Sequence, residues 1–269
     1  MAKYKSFSVF LLFVKGNIFA IGGNLELAPQ NPIIGEIRDR FLSKRLVIIS
    51  TASSDPDKAG KKYSFIFNTF GIDTYVISAV KREEADREKY AKIIRESGGV
   101  FFTGGNQMRL TSIIGGTEIH YAIAEKMKEE DFIVIGTSAG AAAMPETMIA
   151  YSEPEEALSK GAVKLSPGLG FVSGIIIDTH LISRNRIWRL LQVVAENPKI
   201  IGIGLAENTG ILINKRGESR VVGEGVVVIV DGEKITYTNI PEIRDGEVFT
   251  VKNIMVDLLT HGQSLNLPI

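Results

Sequence analysis

The feature that most constrains this chain is an alternation of short apolar runs with amphipathic segments, extending from residue 31 to residue 205. Runs such as 46–49 and 72–77 have the length of buried strands, and the segments between them have the apolar spacing of surface helices. This alternation is typical of βαβ units that form a largely parallel sheet. The sequence therefore predicts an α/β fold.

Local signals set the boundaries of the expected elements. Asn31-Pro32 and Asp55-Pro56 each offer an N-cap residue followed by a proline suited to the first helical turn. Helices are predicted over 31–42, from 55 onward, over 83–97 and 118–129, from 184 onward, and over 251–259. Buried strands are predicted at 18–21, 46–49, 72–77, 100–102, 132–135, 174–177 and 200–205. Glycine turns separate three later runs, and these predict antiparallel strands at one edge of the sheet, at 211–213, 226–230 and 235–237.

The run 132–135 leads into the pentapeptide GTSAG at 136–140, which is followed by good helix formers at 141–144. A G-x-S-x-G pattern in this strand, turn and helix context indicates a nucleophile elbow. A side chain at either glycine would crowd the turn that exposes Ser138 Oγ, and the Ala139 N–H would point toward a developing oxyanion. A simple glycine turn at the end of a core strand is the alternative interpretation.

The charge balance and the missing cysteine exclude several classes of function. Thirty-one basic and 31 acidic residues give a formal net charge of zero. Non-specific binding to nucleic acid depends on excess positive charge, so nucleic acid is not an expected partner. Without cysteine, covalent catalysis would depend on Ser, Thr, Lys or a carboxylate. No apolar segment reaches the roughly 18 residues that a membrane span needs.

The three histidines, His120, His180 and His261, do not have the close spacing of a transition-metal site. The sequence therefore predicts no metal and no cofactor. His120 lies in the predicted helix 118–129, where a surface or hydrogen-bonded side chain is expected rather than a catalyst.

The N-terminus allows two interpretations. Lys3 and Lys5 precede the apolar stretch 7–14, as in a secretory signal. The stretch is short, Lys15 ends it, and no A-x-A cleavage pattern follows, so a first strand or hairpin is favoured. We therefore expect a cytoplasmic protein, with secretion as the alternative. Because the sequence contains neither repeats nor a linker, we expect a single domain over 1–269.

Polar residues follow two of the later predicted strands. Asp178 and His180 come at the end of the run 174–177, and Glu207 follows the run 200–205. Ligands of open α/β sheets collect at the carboxyl ends of strands, so these positions favour a functional site. A carboxylate at 207 is suited to orient a histidine.

Three arginines, Arg184, Arg186 and Arg189, cluster at the start of the next predicted helix. Cations at a helix N-terminus oppose the helix macrodipole, so the cluster is locally unfavourable and indicates an anionic ligand. A solvated basic face is the alternative interpretation.

Four segments of the chain resemble the signature segments of the cyanophycinase family, in that family's order. They are FFTGGNQ at 101–107, IGTSAGAAAM at 135–144, DTHLISRNRIWRL at 178–190 and GIGLAENTGILI at 202–213. The related aspartyl dipeptidases share the serine segment and the fold but are shorter. The resemblance implies a three-layer α/β sandwich with a mostly parallel central sheet. This is a glutamine-amidotransferase-like (flavodoxin-like) fold, here with extra C-terminal antiparallel strands.

The resemblance also implies the roles of individual residues. Ser138 would be the nucleophile, His180 the general base and acid, and Glu207 the carboxylate that orients the imidazole. Two backbone amides would form the oxyanion hole, those of Gly105 and Ala139. The substrate pocket would contain Gln107, Asp178, Arg184, Arg186 and Arg189. An α/β-hydrolase would instead use a downstream carboxylate followed by His261.

By this resemblance the protein would be a serine exopeptidase that releases β-Asp-Arg dipeptides from cyanophycin, a polymer of aspartate and arginine. It would act as a homodimer. The alternatives are an α-aspartyl dipeptidase, another β-aspartyl peptidase, or a non-catalytic binding protein of the same fold. Within the pocket, Asp178 would either pair with the substrate guanidinium or hold the pocket arginines.

Four positions depart from the family pattern. Asn24-Leu25-Glu26 replaces a usual Glu-Asp pair, and Asn185 stands at a usual glycine. Trp188 replaces a small residue, and Ala206 replaces an aspartate beside Glu207. Trp188 would narrow the pocket or offer a face on which a guanidinium stacks. None of these changes removes a triad residue, so the resemblance implies hydrolysis more firmly than it implies polymer specificity.

Overall fold

The computed structural model describes residues 16–152 and 158–267, so the apolar stretch 7–14 lies outside the described residues. The strands, in chain order, are β1 (Asn17–Ile21), β2 (Leu46–Ile49), β3 (Thr74–Ile77), β4 (Gly99–Phe102), β5 (Ile133–Thr137), β6 (Thr147–Ser152), β7 (Val163–Pro167), β8 (Ile175–Thr179), β9 (Ile201–Leu205), β10 (Thr209–Ile213), β11 (Glu218–Gly223), β12 (Val227–Asp231), β13 (Tyr237–Thr238), β14 (Val251–Lys252), β15 (Met255–Leu259) and β16 (Ser264–Asn266). The helices are α1 (Pro32–Phe41), α2 (Pro56–Thr69), α3 (Arg82–Ala85), α4 (Glu88–Arg95), α5 (Gln107–Ile114), α6 (Glu118–Lys126), α7 (Ala139–Ala142) and α8 (Ile187–Glu196).

The central sheet has eight strands in the order β16-β11-β10-β1-β5-β4-β2-β3. In the part of this order that reads β1-β5-β4-β2-β3, every strand is parallel to its neighbours within that part. At the other edge β10, β11 and β16 are antiparallel to their neighbours. The prediction of a mostly parallel sheet is therefore confirmed. Of the three runs predicted as antiparallel strands at its edge, 211–213 lies there as part of β10, whereas the predictions for 226–230 and 235–237 are wrong because these runs join other sheets.

A second sheet of four strands has the order β15-β12-β9-β8. β8 and β9 are parallel, with Thr179 opposite Leu205, and the remaining pairs are antiparallel. The alternating pattern does not anticipate this second sheet, because it predicts where strands occur and not which neighbour each strand bonds.

Alternate side chains of the central strands pack on opposite faces of the sheet. Phe19 of β1 and Phe101 of β4 pack on one face against buried side chains of α1 and α2, including Ile37 and Phe67. The opposite face packs against α4, α5 and α6 and against the second sheet. Helices thus flank both faces of the sheet, which confirms the predicted three-layer arrangement.

The two predicted N-caps are confirmed. Asn31 accepts a hydrogen bond from the backbone N–H of Ile33 (2.8 Å), and Asp55 accepts one from Lys58 (3.1 Å). Proline occupies the first turn of each helix that follows. These boundaries depend on side chains next to the helix ends, which explains why the local sequence predicts them.

The prediction of one helix over 83–97 is wrong, because α3 ends at Ala85 and α4 begins at Glu88. Asp86, in the interruption, accepts a hydrogen bond from the backbone N–H of Glu118 (3.1 Å) at the start of α6. This contact between distant segments satisfies an N–H of the α6 first turn and is not visible in local periodicity.

The predicted last helix over 251–259 is also wrong. These residues form β14 and β15, and β15 pairs with β12 along its whole length, from Met255 opposite Asp231 to Leu259 opposite Val227. The apolar spacing of this segment fits both helix and strand, and the open edge of β12 decides in favour of the strand. The predicted strand 235–237 overlaps the observed β13 only at Tyr237, and β13 pairs with β14. In the part of the chain that the structure describes, no helix is long and apolar enough to cross a membrane.

Candidate active site

Ser138 lies between β5 and α7 with φ 53° and ψ −117°. This left-handed backbone is strained for serine, and strain of this kind clusters at functional sites. A Cβ at Gly136 would lie 2.5 Å from the carbonyl carbon of Gly140, and a Cβ at Gly140 would overlap the carbonyl oxygen of Phe102. Both glycines are therefore needed for the close approach of α7 to β4 and β5.

His180 and Glu207 follow neighbouring parallel strands, so the sheet brings them together at one edge. Ser138 Oγ lies 2.8 Å from His180 Nε2, and His180 Nδ1 lies 2.9 Å from Glu207 Oε1. Because the carboxylate accepts from Nδ1–H, Nε2 is left to accept the hydroxyl proton. This arrangement can remove a proton from Ser138 and stabilise the resulting imidazolium.

Glu207 also accepts a hydrogen bond from Ser183 Oγ at the oxygen that binds His180. Burial raises the pKa of Glu207, but the hydrogen bonds from Ser183 and His180 outweigh burial, so this pKa lies below its ordinary value. The group is therefore an anion at neutral pH. Sequence reasoning missed Ser183, since an exposed serine carries no signal until the fold places it beside Glu207.

Gly105 lies in the loop between β4 and α5 with φ 145°, and a Cβ there would overlap the carbonyl oxygen of Ala52. A Cβ at the preceding Gly104 would lie 3.3 Å from Ser138 Cβ, so this loop passes directly beside the serine. Ala139 is the first residue of α7. Among residues 16–152 and 158–267, neither the Gly105 nor the Ala139 amide donates a backbone hydrogen bond. Two such amides beside a serine can stabilise an oxyanion.

A pocket beside Ser138 brings together eight of the ten predicted site residues. They are Gly105, Gln107, Ser138, Ala139, Asp178, Arg184, Arg186 and Arg189. Ile149 and Thr179 contribute to the same lining. The other two predicted residues, His180 and Glu207, lie in the hydrogen-bonded chain described above.

Asp178 and Arg189 form a buried, bidentate ion pair. Arg189 Nε donates to Asp178 Oδ2 (2.6 Å) and Nη2 donates to Oδ1. Arg189 Nη1 also donates to Ser152 Oγ of β6 (3.1 Å). Both carboxylate oxygens of Asp178 therefore bind a pocket arginine, which supports the interpretation that Asp178 holds the pocket arginines.

Arg186 is less completely neutralised. Its Nη1 donates to the carbonyl oxygen of Thr179 (2.8 Å) and lies 3.8 Å from Asp178 Oδ1. Burial lowers the pKa of Arg186 to about 10, the nearby Arg189 and Arg184 act in the same direction, and Asp178 and Glu207 oppose them. The pocket thus holds crowded positive charge that a bound anion would relieve. Gln107, in the first turn of α5, donates to the carbonyl oxygen of Ile149 (3.1 Å).

The structure shows the backbone conformation or the exposure of three residues that depart from the family pattern. Asn185 has φ 48°, a region in which asparagine is the best substitute for the usual glycine, and Asn24 has φ 46° in the same region. Trp188 is 44% exposed and is not among the described residues that line the pocket. The structure therefore supports neither the narrowing of the pocket nor the stacking that was considered for Trp188. Nothing in the structure explains Ala206.

The other two histidines have separate contacts. His120 accepts from the backbone N–H of Gly116 (2.9 Å) at Nδ1 and contacts the Leu169 carbonyl oxygen (2.8 Å) at Nε2. Its prediction as a hydrogen-bonded side chain is confirmed. His261 accepts from the Gly223 amide (3.3 Å), so the imidazole at Ser138 is His180 and not His261. No group of three His, Asp or Glu side chains within the described ranges has the geometry of a metal site.

The chain is similar to known proteins over most of its length. Residues 18–221 match the model of peptidase family S51. A cyanophycinase from Synechococcus elongatus is 32% identical over 256 residues, which cover 94% of this chain and 80% of the relative. A cyanophycinase from Geminocystis herdmanii is 30% identical over 262 residues, covering 94% of each chain. A solved structure of a peptidase from an acI-B1 Actinobacterium covers 95% of this chain and 98% of its own, with a TM-score of 0.69 at 17% identity, and therefore shows the fold alone.

Proposed function

Since the chain belongs to peptidase family S51 and is a serine-type peptidase, we propose that it is an exopeptidase that hydrolyses cyanophycin to β-Asp-Arg dipeptides. The observation that carries this proposal is the hydrogen-bonded chain of Ser138, His180 and Glu207 beside a pocket with three arginines. The names of the two curated relatives described above support the choice of polymer.

In the proposed mechanism Ser138 Oγ attacks the scissile carbonyl carbon while His180 Nε2 accepts the hydroxyl proton. Glu207 keeps Nδ1 protonated and stabilises the imidazolium. The amides of Gly105 and Ala139 donate to the oxyanion, and the strained turn at Ser138 is the nucleophile elbow that presents Oγ. His180 then protonates the leaving amine, and water, activated by the same imidazole, hydrolyses the acyl-enzyme.

The arginine pocket supports an acidic peptide substrate. Cyanophycin is a chain of aspartate residues with an arginine linked to each β-carboxyl group, so its terminal unit carries free carboxylates. Planar guanidinium groups bind carboxylates through paired, charge-assisted hydrogen bonds. Arg189 is already paired with Asp178, so we assign the substrate carboxylates to Arg184 and Arg186. If Arg184 and Arg186 must bind the carboxylate of a terminal unit, cleavage occurs only at a chain end, and the enzyme is an exopeptidase.

We also propose that the protein forms a homodimer. β15 is an outer strand of the second sheet, and among the described residues its only strand neighbour is β12. Val256 and Leu258 on this strand are 45% and 68% exposed. Exposed apolar edge strands favour pairing with another chain. Light scattering should give a dimer mass for the wild type and a monomer mass for Leu258→Lys; a monomeric wild type would contradict the proposal.

The function is tested by amine release from cyanophycin, a β-Asp-Arg polymer fragment and an α-Asp dipeptide. Wild type is compared with Ser138→Ala and with Ser43→Ala, a control at an exposed serine. We expect wild type and the control to cleave cyanophycin and Ser138→Ala to be inactive. Activity on the α-linked dipeptide alone would identify an α-aspartyl dipeptidase. No Ser138-dependent cleavage of any substrate would favour a binding protein.

A further inference from the structure

The end of β1 contacts the backbone of all three segments that carry the candidate triad. The carbonyl oxygen of Ile21 accepts from the Ser138 amide (2.9 Å), that of Gly22 from the His180 amide (3.0 Å), and that of Gly23 from the Asn208 amide (2.9 Å). Asn208 directly follows Glu207. Three consecutive carbonyl groups therefore hold segments that are far apart in the sequence.

The three donor residues share an unusual backbone conformation. Ser138, His180 and Asn208 have φ values of 53°, 56° and 50°. Left-handed φ is uncommon for residues other than glycine, and it persists where the surroundings hold it in place. Here each strained residue donates its amide to one carbonyl of the 21–23 segment. The 21–23 segment is thus bonded to three residues that all have this conformation.

Gly23 also touches the reactive edge of the imidazole. Its φ is 109°, and a Cβ there would overlap His180 Cε1 and lie 2.5 Å from Nε2. Nε2 is the atom that faces Ser138 Oγ. A Cβ at Gly22 would overlap the carbonyl oxygen of Ala206, next to Glu207. Both glycines are therefore needed for the 21–23 segment to lie this close to His180 and to the Glu207 turn.

We propose that the 21–23 segment is a positioning element for catalysis, which sets the distance between Ser138 Oγ and His180 Nε2 through its carbonyl groups and through Gly23. The inference rests on the proposed function, because it concerns how that triad is assembled. Gly22 and Gly23 do not take part in proton transfer. They act through the residues that do.

The test is Gly23→Ala, which pushes a methyl group into the imidazole edge. Displacing a reacting group by about 1 Å can cost roughly 100-fold in rate, so we expect a loss of at least about 100-fold. Gly71→Ala is the matched control, since Gly71 also has positive φ (80°) but no atom within 4 Å of its ideal Cβ. The control should keep its rate within about threefold, and thermal unfolding should show that both variants are folded.

The rate is measured as labelling of Ser138 by a fluorophosphonate, which does not require the natural substrate. A wild type that is not labelled would count against the proposed function itself. A wild type that is labelled while Gly23→Ala reacts equally fast would overturn the positioning role. We also expect the loss in Gly23→Ala to lie in the maximal labelling rate at saturating fluorophosphonate, because the substitution displaces the base and leaves the arginine pocket in place. A change confined to the reagent concentration that gives half the maximal rate would overturn the positioning role.

A second measurement covers the case in which Gly23→Ala does not fold. Amide hydrogen exchange of the wild type should show protection of the Ser138, His180 and Asn208 amides, with one shared opening rate. Exchange of these three amides at the rate of exposed backbone would overturn the proposal.

Discussion

The triad segments and the arginine pocket lie side by side, but they are held in place by different means. Ser138, His180 and the turn after Glu207 are bonded through their main-chain amides to consecutive carbonyl groups at the end of β1. The pocket is organised through side chains, above all the bidentate pair of Asp178 and Arg189.

Because of this difference, we expect mutations of the triad and mutations of the pocket to have different effects. A residue held by its backbone keeps its position when its own side chain is removed, so triad variants should lose rate while keeping their fold. A buried ion pair depends on both side chains, and removing one leaves an uncompensated charge in the interior. Pocket variants that leave Arg189 unpaired should therefore lower stability, and variants of Arg186 should weaken substrate binding.

The largest effect is expected for His180→Ala, which removes the general base. We expect kcat to fall by about 10⁴- to 10⁶-fold, with KM within a few-fold of wild type and an unchanged melting temperature. His261→Ala is the control at an exposed histidine and should retain activity within about threefold. An equal loss in both variants would mean that the imidazole at Ser138 has been assigned incorrectly.

Asp178→Asn should have the largest effect on stability. It leaves Arg189 buried without its counter-ion, and we expect a decrease of about 3–5 kcal/mol in the free energy of unfolding measured by denaturant titration. Asp73→Asn, which breaks an exposed pair with Arg45, should cost less than about 1 kcal/mol. Adding Arg189→Met to Asp178→Asn should recover part of the loss. If the two single aspartate variants are equally stable, the buried pair does not organise the pocket.

Arg186→Gln should affect binding more than rate. Loss of a charge-assisted hydrogen bond is worth about 1.5–3 kcal/mol, so we expect KM for the anionic substrate to rise roughly 10- to 100-fold. Because Arg186 is not part of the proton-transfer chain, kcat should stay within about threefold. Arg216→Gln, at an exposed loop position, should leave both constants unchanged. A fall in kcat without a rise in KM would place Arg186 with the triad instead.

The smallest effect is a pH dependence of stability that arises from Glu207. Its pKa is lower in the folded protein than its ordinary value of 4.5, so its stabilising contribution is complete above that pH and is lost as the pH falls below it. Glu207→Gln has no such group. The difference in unfolding free energy between wild type and Glu207→Gln should therefore shrink below pH 4.5. The difference for Glu233→Gln, at an exposed carboxylate, should change less.

Much of the candidate site could be predicted because its residues occur next to strand ends. The carboxyl ends of parallel strands meet at one edge of a sheet, so Asp178, His180 and Glu207 were expected close together. The resemblance supplied roles for the glycine loop at Gly105 and for the arginines. The structure places these residues together, and their catalytic roles remain predictions.

Other parts of the site gave no signal in the sequence. Ser183 reaches Glu207 only because the chain turns after His180. Charge alone does not select Arg189 as the partner of Asp178, because three nearby arginines carry the same charge and only the fold sets which of them is bidentate.

The sequence by itself determined the features that depend on neighbouring residues. These are the helix starts at Asn31 and Asp55, the strand and turn around Ser138, and the alternation that makes the fold α/β. Only the tertiary structure decided that 255–259 is a strand and that the carbonyl groups of 21–23 hold the triad segments. The physical reason is that every residue carries the same main-chain N–H and C=O groups, so their partners are chosen by which segments the fold brings together.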